Sequence, residues 1–347
     1  MPNNKEIPLP ERPKLVFVNV GPSRGYRSDS IVISDPLNVI PQPLEVPRSI
    51  LPLLELCDGS RTAYEIKGAL LFQGIILHED RIIELLKEMD SALLFENGQY
   101  MKVRSGKLSS YRQLPRRPMS HAGTVYPAEL SQLSNFIEEN MQILDEDCQP
   151  IRRPTTLKGI LSPHIDYNRG KSSYARLWAH ASPYIEDVEQ LILLGTDHNG
   201  GLASITPTRQ NYSTPFGTLR TDISAVNEIL ENLDQEAVDN EELHHLAEHS
   251  IELALVWAHY FIKKKPISVI PILCGSFQHF INDRKYPHLD QKINNVVEVL
   301  KQISDKKRTL ILAAGDLAHV GPQFGDSLKY DDEEKTILEA KDHETLA

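Results

Sequence analysis

Four short, nearly unbroken apolar runs constrain this chain most: residues 159–162 (GILS), 190–195 (QLILLG), 267–273 (ISVIPIL) and 309–315 (TLILAAG). A strand with one wet face alternates apolar and polar residues, whereas a strand buried on both faces reads as a continuous apolar run. Between and around these runs lie stretches with apolar residues at helical spacing, near 171–182, 222–233, 248–262 and 291–303. The alternation predicts an α/β domain with a mostly parallel sheet flanked by helices. Ligands of such open sheets bind outside the carboxyl ends of the strands.

Three of the four runs end in a histidine-bearing turn. The first leads into Pro163, His164, Ile165, Asp166 and Tyr167. The second leads into Asp197 and His198, and the last into Asp316 and His319. Histidine is the commonest metal ligand among side chains. Every histidine except His78 lies after residue 120, which assigns a histidine site to this domain alone. One histidine at a strand end is ordinarily a surface or capping residue; three at equivalent ends point to a shared pocket, most simply a metal site.

A further cluster, His245-Leu246-Ala247-Glu248-His249 followed by Glu252, would put 245, 248, 249 and 252 on one face of a helix. His-x-x-Glu-His is also the inverzincin signature, in which two histidines hold zinc and the glutamate activates water. An inverzincin-type metallopeptidase needs a further carboxylate ligand downstream, and it would leave His164, His198 and His319 without a role.

Charge and composition exclude other classes. A net charge of −11 opposes general nucleic-acid binding, which needs a basic face. Cys57, Cys148 and Cys274 form no CxxC pair, so neither a thiolate zinc cluster nor a disulfide framework is expected, and Cys274 reads as a buried thiol at a strand end. Gly170-Lys171-Ser172 cannot close a phosphate loop, because Ile165 stands where the first glycine is required. No G-x-S-x-G elbow is present. No run of about 18 apolar residues exists, and the first residues lack the apolar stretch of a signal peptide. The expected setting is the cytoplasm, away from membranes and nucleic acid.

Ahead of this domain, residues 1–45 are rich in proline and turn formers, with short strands expected at 14–18 and 30–33. A helix is expected at 49–56, then a stop at 57–61. Thr62 and Glu65 fit a capping box opening the next helix, which carries Ile66, Ala69, Leu70 and Phe72. Ile82, Ile83, Leu85, Leu86 and Met89 mark a third. Leu93-Leu94-Phe95, Asn97-Gly98 and Tyr100-Met101 read as a hairpin, since Asn-Gly suits a type I′ turn. Three helices and a hairpin make a winged-helix pattern. With the stretch 54–66 (LELCDGSRTAYEI), the segment 47–103 resembles the PqqD-like peptide-binding domains. It has no basic recognition helix, so the resemblance implies peptide or protein docking, or a structural role. Residues 104–118 have linker composition. From residue 120, Leu130, Leu133, Ile137, Met141 and Leu144 show helical spacing. The expected organisation is an N-terminal region 1–103, a linker 104–118 and an α/β domain 119–347.

Motifs run in order through that last domain: His121-Ala122-Gly123-Thr124-Val125-Tyr126-Pro127, Pro163–Tyr167, Leu194-Gly195-Thr196-Asp197-His198, Thr214-Pro215-Phe216-Gly217-Thr218-Leu219 with Asp222, Glu248-His249-Ser250-Ile251-Glu252, the strand 269–275, and Gly315–Gly321. Together they resemble the Memo family, also called AmmeMemoRadiSam system protein B. The family's fold is similar to class III extradiol dioxygenases, which are non-haem iron enzymes. The resemblance implies that His164 and His198 are metal ligands, for Fe(II) or Cu. His319 would stand where those dioxygenases keep an acid–base histidine, with Asp316 nearby. His121, Asp166, Tyr167, Asp197, Glu248 and His249 would line the cleft or orient the ligands. Two readings follow: a metal-dependent oxidoreductase acting on an unknown small molecule, or a non-catalytic component that binds a peptide or protein partner, such as radical-SAM and AMMECR1-like proteins. The family pattern continues beyond the equivalent of Ala347 and there supplies a cysteine ligand in some members. The domain is therefore expected to be C-terminally incomplete, either truncated or using another third ligand such as Asp166.

Overall fold

A computed structural model describes residues 8–23, 29–37, 39–142, 157–200, 203–262, 265–324, 326 and 331–346; Leu144 and Cys148 lie outside them. The chain divides into two compact units, Met1–Leu114 and Pro115–Ala347.

The first unit opens with a three-stranded antiparallel sheet, β1 (Asn19–Pro22), β2 (Ser30–Ser34) and β3 (Leu44–Pro47), in that order. Helices α1 (Leu51–Leu56), α2 (Ala63–Phe72), α3 (Glu79–Ser91) and α4 (Gly98–Gln113) follow. Thr62 and Glu65 form the capping box that starts α2. Ile31, Ile33, Leu53, Ile66, Leu70, Ile82, Leu86 and Phe95 share one buried core.

The expected hairpin does not form, and with it the wing of a winged helix is missing. Asn97 starts a helix instead: its side-chain oxygen accepts the backbone N–H groups of Gln99 and Tyr100 at 2.9 and 3.0 Å. The pairing partner of the 94–96 segment comes from the front of the chain. Val16 N–H donates to Leu94 O, and Glu96 N–H to Lys14 O. The expected strand at 14–18 is thereby reduced to isolated bridges at Lys14 and Leu15. Residues 104–113, expected as linker, lie inside α4.

The second unit begins with α5 (Leu130–Gln142). Its sheet comprises β4 (Gly159–Ser162), β5 (Gln190–Thr196), β6 (Ile205–Pro207), β7 (Tyr212–Thr214), β8 (Gly217–Thr221), β9 (Ser268–Cys274) and β10 (Thr309–Ala314). The helices are α6 (Tyr167–Ala181), α7 (Ile223–Leu230), α8 (Gln235–Glu241), α9 (His244–Ala247), α10 (Ser250–Ile262), α11 (Gln278–Asn282), α12 (Gln291–Lys306) and α13 (Asp332–Leu346). The strand order is β4-β10-β5-β9-β8-β7, with β6 beside β9. β4, β10, β5, β9 and β8 run parallel, and β6 and β7 are antiparallel to their neighbours.

Register decides where the site can be. Ala314 stands opposite both Ser162 and Gly195. The turns after β4, β10 and β5 therefore leave the sheet side by side, and these carry His164, Asp316 and His198. α10 packs against β5 and β10 and is buried along most of its length, with Glu252 and His259 set among largely apolar residues. Trp257 on α10 stacks on Tyr174 of α6 at 5.6 Å. Burying each large apolar side chain here contributes roughly 1.5–3 kcal/mol.

Two histidines belong to this core rather than to any cleft. His245 Nε2 lies 2.8 Å from Thr206 O, a carbonyl that can only accept, so Nδ1 accepts from Tyr212 OH at 2.6 Å. His259 Nδ1 lies 2.6 Å from Thr214 Oγ1. Burial pushes His245 down to about 3 and His259 down to about 4. Both stay neutral in the fold while the unfolded chain takes up protons below about 6.5. Stability should thus fall as pH drops from 6.5 toward 4, by a few kcal/mol on the order of the two shifts. Thermal melts at pH 7 and pH 4 measure this; equal midpoints would contradict it.

Candidate metal centre

Three imidazoles meet at the carboxyl edge of the sheet. His164 comes from the turn after β4, His198 from the turn after β5 and His249 from the junction of α9 and α10. Their ligand atoms all lie within 4.8 Å of one another. His164 Nε2 and His198 Nε2 are 3.3 Å apart, and the His198 and His249 rings stack at 4.6 Å.

The junction explains how His249 arrives there. The expected single helical face through 245, 248, 249 and 252 is broken, because α9 ends at Glu248, whose backbone is extended (φ −68°, ψ 133°). His245 stays in the core while Glu248 and His249 turn toward the cleft. The two histidines of the His-x-x-Glu-His motif therefore do not face one metal, and the inverzincin reading fails on this geometry.

Glu248 organises the cluster. Its carboxylate accepts the backbone N–H groups of His198, His249 and Ser250 at 3.0, 2.7 and 2.9 Å. It also lies 3.0 Å from His198 Nδ1 and 3.1 Å from His249 Nδ1. Burial alone would raise its pKa, but the hydrogen bonds from His198 and His249 outweigh burial and hold it far below the usual carboxylate range. An ionised carboxylate only accepts. Both imidazoles accordingly carry their proton on Nδ1 and present the Nε2 lone pair to the cleft, the arrangement that carboxylates impose on metal-binding histidines. The same bond pushes the His198 pKa up. Burial pushes His164 down, with Asp316 opposing.

This donor set fits a metal ion. Two nitrogens bound at about 2.0–2.1 Å in tetrahedral geometry stand roughly 3.3–3.4 Å apart, which is the His164–His198 spacing. His164 is 3% exposed and its Nδ1 is buried with no hydrogen-bond partner among the described residues. Its remaining nitrogen faces the His198 lone pair, so what this ring can bind lies in the cleft. Neutral imidazoles suit Zn, Cu, Fe and Ni.

The cleft around the cluster has a volume of about 680 Å³ and is lined by His121, Asp166, Asp316, His319 and Phe324 among others. Asp316 Oδ1 accepts the His164 N–H at 3.2 Å, and Oδ2 lies 3.5 Å from His164 Nε2 and 3.6 Å from His319 Nε2. His319 is half exposed and meets Phe324 edge-on at 5.0 Å. Asp166 caps α6, and its carboxylate is taken by Arg169. It lines the wall while His249 supplies the third donor near His164 and His198. Two residues expected at the cleft point elsewhere. Tyr167 is buried and donates to Leu253 O at 2.6 Å. Asp197 is buried against His244 Nδ1 at 2.6 Å, with Glu241 close by in a separate group of possible donors.

Residues 117–347 match the family described as Memo-like protein. The chain belongs to the Memo-like family. It is 26% identical over 321 residues to a MEMO1 family protein of Aquifex aeolicus, covering 92% of this chain and 79% of that one. That stretch is longer than the second unit, so the likeness reaches into the first. A MEMO1 family protein of Methanococcus maripaludis is 28% identical over 230 residues, covering 64% of this chain and 76% of the relative. One from Thermus thermophilus is 27% identical over 259 residues, covering 73% and 70%.

In this Memo-like chain the sequence motifs left out one member of the site's support. Arg117 and Glu252 form a fully buried ion pair at 2.6 Å. Glu252 also accepts the His121 N–H at 2.9 Å and the Tyr126 hydroxyl at 2.6 Å, and lies 3.3 Å from His121 Nδ1. Burial would raise Glu252, but His121, Arg117 and Tyr126 hold it at about 2. The available signal was Glu252 itself, an acid in an otherwise apolar helix, which demands a partner. Arg117 was hidden in a basic run that reads as linker.

The end of β9 requires a close backbone approach. A Cβ on Gly275, just after β9, would stand 2.6 Å from Ala203 O. Gly275→Ala is expected to cost about 1–3 kcal/mol through that overlap. Urea denaturation checks it, and an unchanged midpoint would refute it.

Proposed function

We propose that this chain holds one transition-metal ion between His164, His198 and His249 and acts as a non-haem, metal-dependent oxidoreductase on a small molecule in the cleft. The observation that carries this reading is that a single carboxylate, Glu248, sets the tautomers of two histidines whose lone pairs meet a third imidazole. Fe(II) or Cu is the proposed ion; when bound it would supply Lewis acidity and open positions for O₂ or substrate. Glu248 keeps the Nδ1 protons in place. His319, at the mouth and beside Asp316, would carry protons between substrate and solvent. Val125, Ile165, Leu253 and Phe324 give the cleft apolar walls that limit water. Asp316 would orient His164 through its backbone N–H. The resemblance of the family's fold to extradiol dioxygenases supports oxygen chemistry by analogy. A cytoplasmic setting belongs to the same proposal; among the described residues no helix is long and apolar enough to cross a membrane.

A second reading is a peptide- or protein-binding component of a modification system, with radical-SAM or AMMECR1-like proteins as partners. The observation favouring it lies in the first unit, where Tyr64, Leu71 and Phe72 of α2 and Ile76 just beyond are exposed, Phe72 by 96%. The test is O₂ uptake by anaerobically Fe(II)- or Cu-loaded protein against a panel of catechols and other chelating phenols. Uptake that disappears with His164→Ala/His198→Ala supports the oxidoreductase. Loaded protein that consumes no O₂ with any of them contradicts that reading and favours the binding one.

A further inference from the structure

We propose that Arg117 is the positioning residue of the metal centre, acting through Glu248; the inference rests on the metal reading above. Where α9 gives way to α10 the backbone opens, and that opening delivers Glu248 and His249 to the cleft. Opening a helix leaves its last carbonyls without intrahelical donors, and inside a protein they must be satisfied. The Arg117 guanidinium supplies them. Its Nη2 donates to Glu248 O at 2.7 Å and its Nε to His245 O, while Nη1 donates to Glu252 at 2.6 Å and to Pro118 O at 2.9 Å. Three residues on, Ser120 Oγ donates to Leu246 O at 2.5 Å. Segment 117–120 therefore holds the carbonyls of 245, 246 and 248.

The fork is specific to arginine. A guanidinium has five N–H donors fixed in a plane, so one side chain can serve three carbonyls and a carboxylate together. A lysine ammonium keeps the charge opposite Glu252 but cannot span the same acceptors. With Arg117 in place, the carbonyl of Glu248 is fixed on one side of the chain and its carboxylate on the other, toward Nδ1 of His198 and His249. These hydrogen bonds of Arg117 end on carbonyls and on Glu252 rather than on a ligand nitrogen. The effect of Arg117 on the metal passes through Glu248.

The test uses Co(II), whose visible spectrum reports coordination, titrated into the whole chain. Arg117→Lys should still unfold cooperatively yet bind Co(II) about 10- to 100-fold more weakly, the usual effect of losing a group that orients a ligand. In a double-mutant cycle with Glu248→Gln the two losses should not add, because both act on one carboxylate. Additive losses, or wild-type affinity in folded Arg117→Lys, would overturn the proposal. If Arg117→Lys does not fold, Arg117→Met/Glu252→Leu removes both buried charges together and decides the matter by the same affinity. Should the wild type take no Co(II), the metal reading falls, and ¹⁵N spectra of the histidine rings judge the positioning alone. His198 and His249 protonated at Nδ1 in the wild type and altered in the variant sustain it; identical spectra refute it.

Discussion

Arg117→Ala is expected to destabilise the second unit by about 3–5 kcal/mol, the largest stability loss of any single change considered. The pair with Glu252 has no solvent exposure on either side. Removing the guanidinium strands an ionised Glu252 in a region that water does not reach, and it also strips donors from the carbonyls of His245 and Glu248. With total stability near 5–15 kcal/mol for an ordinary domain, such a loss would consume a large part of it. Glu252→Ala should cost a similar amount for the mirror-image reason. Urea denaturation at pH 7 reads both. A loss under about 1 kcal/mol for either would mean that the pair is not the buried anchor described.

His198→Ala is expected to have the opposite profile, with little effect on stability and a large one on metal affinity. The His198 side chain is 42% exposed, so its loss leaves no core cavity. Glu248 loses one ring N–H but keeps the backbone N–H groups of His198, His249 and Ser250 and the His249 ring. The stability cost should stay within about 1–2 kcal/mol. Metal affinity should fall by more than the roughly 100-fold that loss of a supporting group produces. Calorimetric titration with Fe(II) or Co(II), beside a denaturation curve, separates the two effects. Unchanged affinity would remove His198 from the site.

The contrast between Arg117 and His198 parallels what the sequence could disclose. His198, His164 and Asp316 were legible because each directly follows an unbroken apolar run, and parallel strands in register bring such positions together whatever lies between them. The sheet was legible for the same reason. His249 was placed at the cleft by its motif, but its role as third donor depends on the helix breaking at Glu248, and helical spacing alone predicts no break. That break is a tertiary event, stabilised by Arg117 from more than a hundred residues away. Asp166 looked like a spare ligand because sequence shows a carboxylate and not its partners; it caps α6 and pairs with Arg169.

The first unit failed in a comparable way. Asn-Gly serves equally as a hairpin turn and as the start of a helix, and nothing local separates the two. The choice was made by residues 14–16, which took the pairing edge of 94–96 and left residues after Asn97 free to coil. The basic, proline-containing stretch 104–118 read as linker on composition, yet its first ten residues continue α4 and its Arg117 lies at the centre of the second unit.

Metal content decides whether His164, His198 and His249 hold an ion. The protein would be purified anaerobically and analysed by mass spectrometry, wild type beside His164→Ala/His198→Ala, before and after reconstitution with Fe(II) and Cu. Close to one ion per wild-type chain and almost none in the double variant are expected. A wild-type chain that holds no metal after reconstitution, or a double variant that holds as much, would contradict this expectation.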